Sequence, residues 1–322
     1  MSLPGLFVSI ACFSDPDLLD TVYDALAKAS HPERITFGIC LQADHDDRRY
    51  DIFDQYDPIK VDRISILEAK GPIYARSRCE SLLGNEEYFF QIDCHSRFFC
   101  GWDETLIAEL ERAELINPSC VLTHYPVNIK NMDNPKFLDR IGHVNRYRHV
   151  GEDAIKSHGS LVSLPSEPLP SLGVSAAMLF MRSGLRRAFP YDPELHFGLH
   201  AAEQVLYSVR LWTHGVELFC PTRHALATDY AGSRDRISAQ ARQLMAERRQ
   251  NWPEATWTKV KYLLGLDSEQ QVDAFYRDSL PSVLQSYGLG KIRSLLDYYR
   301  LAGIHSDLKQ VFPNYRYRHE LD

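Results

Sequence analysis

What most limits the fold of this chain is a regular alternation, through its first 125 residues, of short apolar runs with longer amphipathic segments. Leu6–Cys12 is a nearly continuous apolar run, the pattern of a strand covered on both faces. Ser14 and Asp15 then offer N-caps for a helix carrying Leu18, Leu19, Val22, Ala25 and Leu26 on one stripe, and His31-Pro32 stops it. Ile35 to Leu41 reads as a second strand and Ile64 to Leu67 as a third. Gly71-Pro72 opens a helix running to Leu83, with proline in the first turn, where its missing N–H is harmless. Tyr88 to Ile92 is a fourth strand, Trp102 to Leu115 a further helix, and Cys120 to Thr123 returns to strand. Strands that alternate with helices imply a mainly parallel central sheet flanked by helices, an α/β fold.

Tyr125 to Gly173 breaks this rhythm. It carries Pro126, Pro135, Pro165, Pro168 and Pro170 and little periodicity, and is expected to be a long loop. Val174 to Met181 reads as strand, Ala201 to Thr213 as a helix ended by Gly215, and Val216 to Phe219 as strand; from Ser238 the chain is helix-rich. Apolar residues make up 44% of 322, enough for a large core. The 36 basic against 43 acidic side chains leave a charge of −7, which argues against nonspecific nucleic-acid binding. No apolar run approaches the roughly 18 residues a membrane span needs, and the first apolar run has no basic residue before it, so it reads as a strand rather than a signal peptide. Seven cysteines without a C-x-x-C pair suit a reduced, cytoplasmic protein.

Three stretches carry chemistry. In Gln91-Ile-Asp93-Cys-His95-Ser-Arg97, Asp93 stands at the carboxyl end of a buried strand, where open α/β sheets bind ligands. Asp93 and His95, two apart in the turn, can aim an oxygen and a nitrogen at one Mn²⁺ or Mg²⁺; alternatively Asp93 caps the next helix and His95 lies on the surface. In Gly71-Pro-Ile-Tyr-Ala-Arg76-Ser-Arg78, two arginines near a helix N-terminus could hold a nucleotide diphosphate, or form a solvated face paired with Glu80 or Glu86. The third comprises Glu203, Arg210, Trp212-Thr-His214-Gly215 and Pro221-Thr-Arg-His224, where His224 is a candidate distant metal ligand. A rival reading takes His196, His200 and Glu203 as a zinc hydrolase site, but Phe197 stands where H-E-x-x-H has its catalytic Glu.

In this order the motifs resemble the cytoplasmic N-acetylglucosaminyltransferases that modify hydroxyproline on polypeptides. The likeness rests on Gly71 to Arg78, Asp93-Cys-His95-Ser-Arg97-Phe98, Tyr191-Asp192-Pro193 with Glu203, Arg210-Leu-Trp-Thr-His-Gly215, and Tyr287-Gly-Leu-Gly290 with Arg293-Ser-Leu295. The Asp-x-His pair with a distant His is also similar to mucin-type polypeptide N-acetylgalactosaminyltransferases. The resemblance implies a GT-A fold, a UDP-sugar donor, Mn²⁺ (or Mg²⁺), a protein or glycan hydroxyl acceptor, and retention of anomeric configuration. It implies Asp93, His95 and His224 as metal ligands and Arg76, Arg78, Ser14, Gln42 and Asp44 on the donor side. Glu203 and Asp192 become the candidate catalytic acids, and Trp212 and His214 face the acceptor. It divides the chain into a core of residues 1–235, with 126–173 beside the acceptor, and a helical extension of 236–322. Ala201-Ala202-Glu203 stands where that family usually has Gly-Glu-Glu, which leaves the sugar open and keeps a catalytically inactive sugar-nucleotide-binding module as an alternative.

Overall fold

The computed structural model describes residues 3–150, 154–197, 201–230, 237–250, 254–265 and 280–304. Its strands are β1 (Leu6–Phe13), β2 (Ile35–Ala43), β3 (Ile59–Ser65), β4 (Tyr88–Asp93), β5 (Ser96–Phe98), β6 (Cys120–Thr123), β7 (Val127–Asn128), β8 (Arg140–Val150), β9 (Ala154–Ser163), β10 (Leu169–Pro170), β11 (Met178–Arg182), β12 (Glu217–Cys220) and β13 (Leu226–Thr228). Eight form the central sheet in the order β10-β12-β6-β11-β4-β1-β2-β3. The half built from β4, β1, β2 and β3 is parallel, and β11 enters antiparallel between β4 and β6. The α/β expectation holds.

Alternation along the central strands sorts side chains to two cores. Leu6, Val8, Ile10 and Cys12 of β1, with Tyr88, Phe90 and Ile92 of β4, pack under helices α1 (Leu18–Lys28) and α3 (Trp102–Glu114). Phe7 and Phe89 point the other way, into a core shared with Ile73 of helix α2 (Pro72–Ser81). The segment Ala201–Thr213, and Val260 and Tyr298 from later helices, close that core. Among the described residues no helix is long and apolar enough to cross a membrane.

Two expectations change. The third strand runs Ile59–Ser65 rather than Ile64 to Leu67. It forms the sheet edge, where Lys60, Asp62 and Arg63 are tolerated, so its apolar signal is weak. The stretch after Tyr125 is no loop throughout: β8 and β9 pair as a long antiparallel hairpin with an irregularity between Val144 and Arg146. Its backbone ladder supplies the order that hydrophobic periodicity does not announce. Gly142 lets the hairpin lie against Tyr125, whose carbonyl oxygen would be 2.4 Å from a Cβ there.

Phe7 lies across Gly38 of β2 so closely that an added Cβ would fall 2.0 Å from its ring. Gly38→Ala should therefore lower stability in urea unfolding by about 1–3 kcal/mol, and adding Phe7→Leu should return part of that loss.

Candidate functional site

The carboxyl ends of β1, β2 and β4 lie side by side, and the chain leaves β4 at Asp93, the last residue in register with β1. The turn to β5 is tied to α1. The Thr21 hydroxyl donates to the Cys94 carbonyl (2.8 Å) and accepts the Ser96 N–H (3.0 Å), while Asp24 accepts the Phe98 N–H (2.6 Å). Arg97 forks onto Asp17 at 2.8 and 3.0 Å. This anchoring sets His95 Nε2 at 3.9 Å from Asp93 Oδ2. The other ring nitrogen, Nδ1, lies 3.1 Å from Oδ2 of the buried Asp15 and 3.6 Å from the Cys94 sulfur. Asp15, Cys94 and His95 present ligand atoms within 4.8 Å of one another. Burial opposes charge on His95, but its bonds to Asp15 and Cys94 and the nearby Asp93 hold its pKa up to about 11. The Cys94 thiol is pushed well above its ordinary range by a hydrogen bond with Cys12 and by burial.

Arg76, on the face of α2 that lies against the sheet, is the charged hub of the site. Its Nε donates to Glu203 (2.6 Å), and one terminal nitrogen donates to Asp93 (3.2 Å) and to the Ala176 carbonyl (3.0 Å). The other reaches the Ile92 carbonyl at 3.4 Å. Burial works against the guanidinium charge, and Glu203 and Asp93 more than offset it, so the pKa rises above its ordinary value. Glu203 sits in a π-helical segment, Ala201–Leu206, a geometry common at functional sites. Burial raises its pKa against the opposing pull of Arg76. Arg76, Asp93 and Glu203 line one side of a cavity of about 660 Å³, faced by Tyr125, Tyr230 and the β8–β9 hairpin.

Ser14 and Gln42 also reach this sheet edge. Ser14, at φ 51°, donates its N–H to the Gln42 carbonyl (2.8 Å), and the Gln42 amide donates to the Cys12 carbonyl (3.2 Å). Asp44 follows one residue beyond β2. Arg78 points elsewhere: it forks onto Asp62 of β3 at 2.5 and 2.7 Å and lines a separate cavity. Its separation from Arg76 follows from helical geometry, because residues two apart face different ways.

Four expected residues lie away from Asp93. Antiparallel pairing of β13 with β5 sets Thr228 opposite Ser96 and puts the Asp229 N–H on the His95 carbonyl (3.1 Å). His224, four residues upstream, is about 13 Å back along that strand direction. It packs against Phe99 and His124 and shares 2.8 Å with the Arg140 carbonyl. It does not join the pair. Asp192, 4% exposed, is ion-paired with Lys259, itself 2% exposed, and does not line the cavity. Trp212 meets Tyr298 edge to face and lies under the Arg293 guanidinium, and His214 packs at a tilt against Phe189. These two stand nine to eleven residues after Glu203, roughly 15 Å along the helix, so they cannot share its surroundings. Of the hydrolase trio, His200 lies outside the described residues, and Glu203 is engaged by Arg76. Two site residues escaped the sequence reading. Asp15 was legible only as a helix cap, whereas the N-cap of α1 is Asp17 and Asp15 accepts the Asp17 N–H (3.0 Å) in the turn before the helix; Tyr230 carries no motif.

Removing the Arg76 charge leaves two carboxylates facing each other. Arg76→Met should lower stability in urea unfolding by about 3–5 kcal/mol, and Arg76→Met with Glu203→Gln should be more stable than Arg76→Met alone.

Among solved structures, the chain is similar to GalNAc-T7, crystallised with UDP, GalNAc and Mn²⁺, at a TM-score of 0.58 and 13% identity. That alignment covers 93% of this chain but only 57% of GalNAc-T7, so the chain spans little more than half of that protein's length. It also aligns with S. aureus TarS, residues 1–349, over 88% of this chain and 79% of that one, at a TM-score of 0.46 and 13% identity. No curated protein sequence matches significantly. The architecture is the GT-A fold of glycosyltransferases. A family model described as Glycosyltransferase (GlcNAc) matches residues 54–307, well over half of the sequence and including Arg76, Asp93, His95 and Glu203; the chain belongs to that GlcNAc glycosyltransferase family.

Proposed function

We propose that the protein transfers N-acetylglucosamine from UDP-GlcNAc to a hydroxyl group on a protein or glycan, using Mn²⁺ or Mg²⁺, and that it is of the cytoplasmic hydroxyproline-polypeptide type. One observation carries this reading: at the carboxyl edge of the sheet Asp93 lines an open cavity with the Arg76–Glu203 pair, and His95 Nε2 stands 3.9 Å behind the Asp93 carboxylate. GalNAc-T7, of like fold, was crystallised with UDP, GalNAc and Mn²⁺, which supports a nucleotide-sugar donor here.

A carboxylate that lines the cavity and an imidazole nitrogen 3.9 Å from it suit a divalent ion that must also accept phosphate oxygens. Asp93 and His95 would hold the ion, which when bound offsets charge growing on the leaving diphosphate. Ser14 and Gln42 stand where the fold's parallel strands end and would border the uridine. Arg76 keeps Asp93 oriented and pairs with Glu203. Because the Glu203 carboxylate is engaged at 2.6 Å by Arg76, we favour a same-face route to retention over a glutamate nucleophile. In that route the acceptor hydroxyl gives its proton to the departing phosphate oxygen. The hairpin β8–β9, with Tyr125 and Tyr230, forms the acceptor wall. We place the catalytic core in residues 1–235 and a helical extension in 236–322; the extension contributes Val260, Leu263 and Tyr298 to the core under α2.

UDP-GlcNAc titrated calorimetrically should bind in the presence of Mn²⁺ and lose most of that affinity with EDTA. Asp93→Asn and His95→Ala should each slow Mn²⁺-dependent UDP release from UDP-GlcNAc by about 100-fold or more. Donor binding indifferent to Mn²⁺ and to Asp93 would defeat the mechanism, whereas metal-dependent binding without turnover on water or any acceptor would identify a binding module. Asp192→Asn is the contrasting case. It should lower the unfolding midpoint, by removing one partner of a buried ion pair, while leaving donor affinity within about twofold, because no binding energy is assigned to that site.

A further inference from the structure

We propose that Asp15 is a positioning residue for the metal site: it grips His95 at Nδ1 and so presents Nε2, beside Asp93, to the ion. The inference rests on the reading of Asp93 and His95 as the metal-holding pair.

Asp15, Cys94 and His95 alone could be taken as a three-ligand site, since their ligand atoms cluster within 4.8 Å. Access argues against it. Asp15's side chain is 3% exposed and Cys94 is buried, whereas Asp93's side chain is 29% exposed and lines the cavity. An ion that serves a diphosphate must be reached from the cavity, which places it on the Nε2 side of the ring, with Asp93. Nδ1 then remains with Asp15 Oδ2 at 3.1 Å, and Nε2 would be the nitrogen offered to the ion, its proton being released to solvent on binding. This is the carboxylate–histidine–metal relay, in which the outer carboxylate fixes the ring's orientation and raises the ligand's basicity.

Asp15 is itself held. Its other oxygen, Oδ1, accepts the Asp17 N–H at 3.0 Å, where the chain turns into α1. The same helix supplies Thr21, whose hydroxyl ties the Cys94 carbonyl and the Ser96 N–H on both sides of His95. Arg97 closes the arrangement from the far side by its fork onto Asp17. The start of α1 is thus a rigid support for one imidazole, reaching it through both backbone and side chain.

The test is a double-mutant cycle on Mn²⁺ binding, followed by electron paramagnetic resonance in the presence of UDP. UDP keeps a measurable affinity in the weakened variants through phosphate and Asp93. Asp15→Ala should weaken Mn²⁺ binding about 10–100-fold, the usual effect of losing an outer-shell partner. Asp15→Asn, which keeps an acceptor for Nδ1–H and nearly the same shape, should recover much of that affinity. In a His95→Ala background, Asp15→Ala should change Mn²⁺ affinity less than about threefold, because its route to the ion is already gone. Additive losses in the double variant would make Asp15 a ligand in its own right and overturn the proposal, as would an Asp15→Ala affinity equal to the wild type's. Should Asp15→Ala fail to fold by circular dichroism, Asp15→Asn and its combination with His95→Ala carry the same comparison. If His95→Ala and Asp93→Asn leave Mn²⁺ binding untouched, the metal-site reading itself has failed and this inference falls with it, a result distinct from additivity.

Discussion

The buried guanidinium of Arg76 is the interaction on which the site's architecture depends. A charge 4% exposed in the interior is tolerable only when every donor finds a partner. Here the partners come from three separate parts of the chain: the Ile92 carbonyl and Asp93 carboxylate at the end of β4, the Ala176 carbonyl before β11, and Glu203 in the π-helical segment. One side chain therefore fixes helix α2, the strand that delivers Asp93, and the segment that closes the cavity. The π-helical turn at Ala201–Leu206 fits this role, since it displaces Glu203 from the regular helical track at the point where Arg76 must be met.

Beside this hub the site is organised by opposing charges at short range. A chain of net charge −7 has no general attraction for a doubly charged diphosphate. Asp93 shares its two oxygens between Arg76 and the side of His95, so that its negative charge is partly balanced. Asp15 balances the other face of the imidazole. In the proposed function, local pairing of this kind lets an acidic chain carry a pocket for a cation and a phosphate group. Arg78, although two residues from Arg76, takes no part, because Asp62 on the sheet edge captures it first.

Much of the parallel half of the fold was legible from residue order. Strands covered on both faces are continuous apolar runs, and β1, β2 and β4 fall where those runs are. Legibility failed where order comes from the backbone. The hairpin β8–β9 is a ladder with mixed side chains and reads as loop, and the edge strand β3 is too polar to announce its start. At the site, Asp93 and His95 could be found because two residues in one turn stay together in any fold. His224, Trp212 and His214 could not be judged that way: their distance from Asp93 depends on strand register and helix length. Asp192 belonged to a shared motif, yet its carboxylate is consumed by Lys259.

By itself the sequence determined the alternation of strand and helix, and with it a parallel sheet whose carboxyl edge carries Asp93 and His95, because hydrophobic period and local spacing survive in the linear chain. Only the tertiary structure decided which distant groups meet there. It chose Arg76 over Arg78, Glu203 over Asp192, and Asp15 and Asp229 over His224 as neighbours of the pair. The physical reason is that burying a charge requires a partner at hydrogen-bond distance, and strand register and helix packing, which no local pattern encodes, determine which partner is within reach.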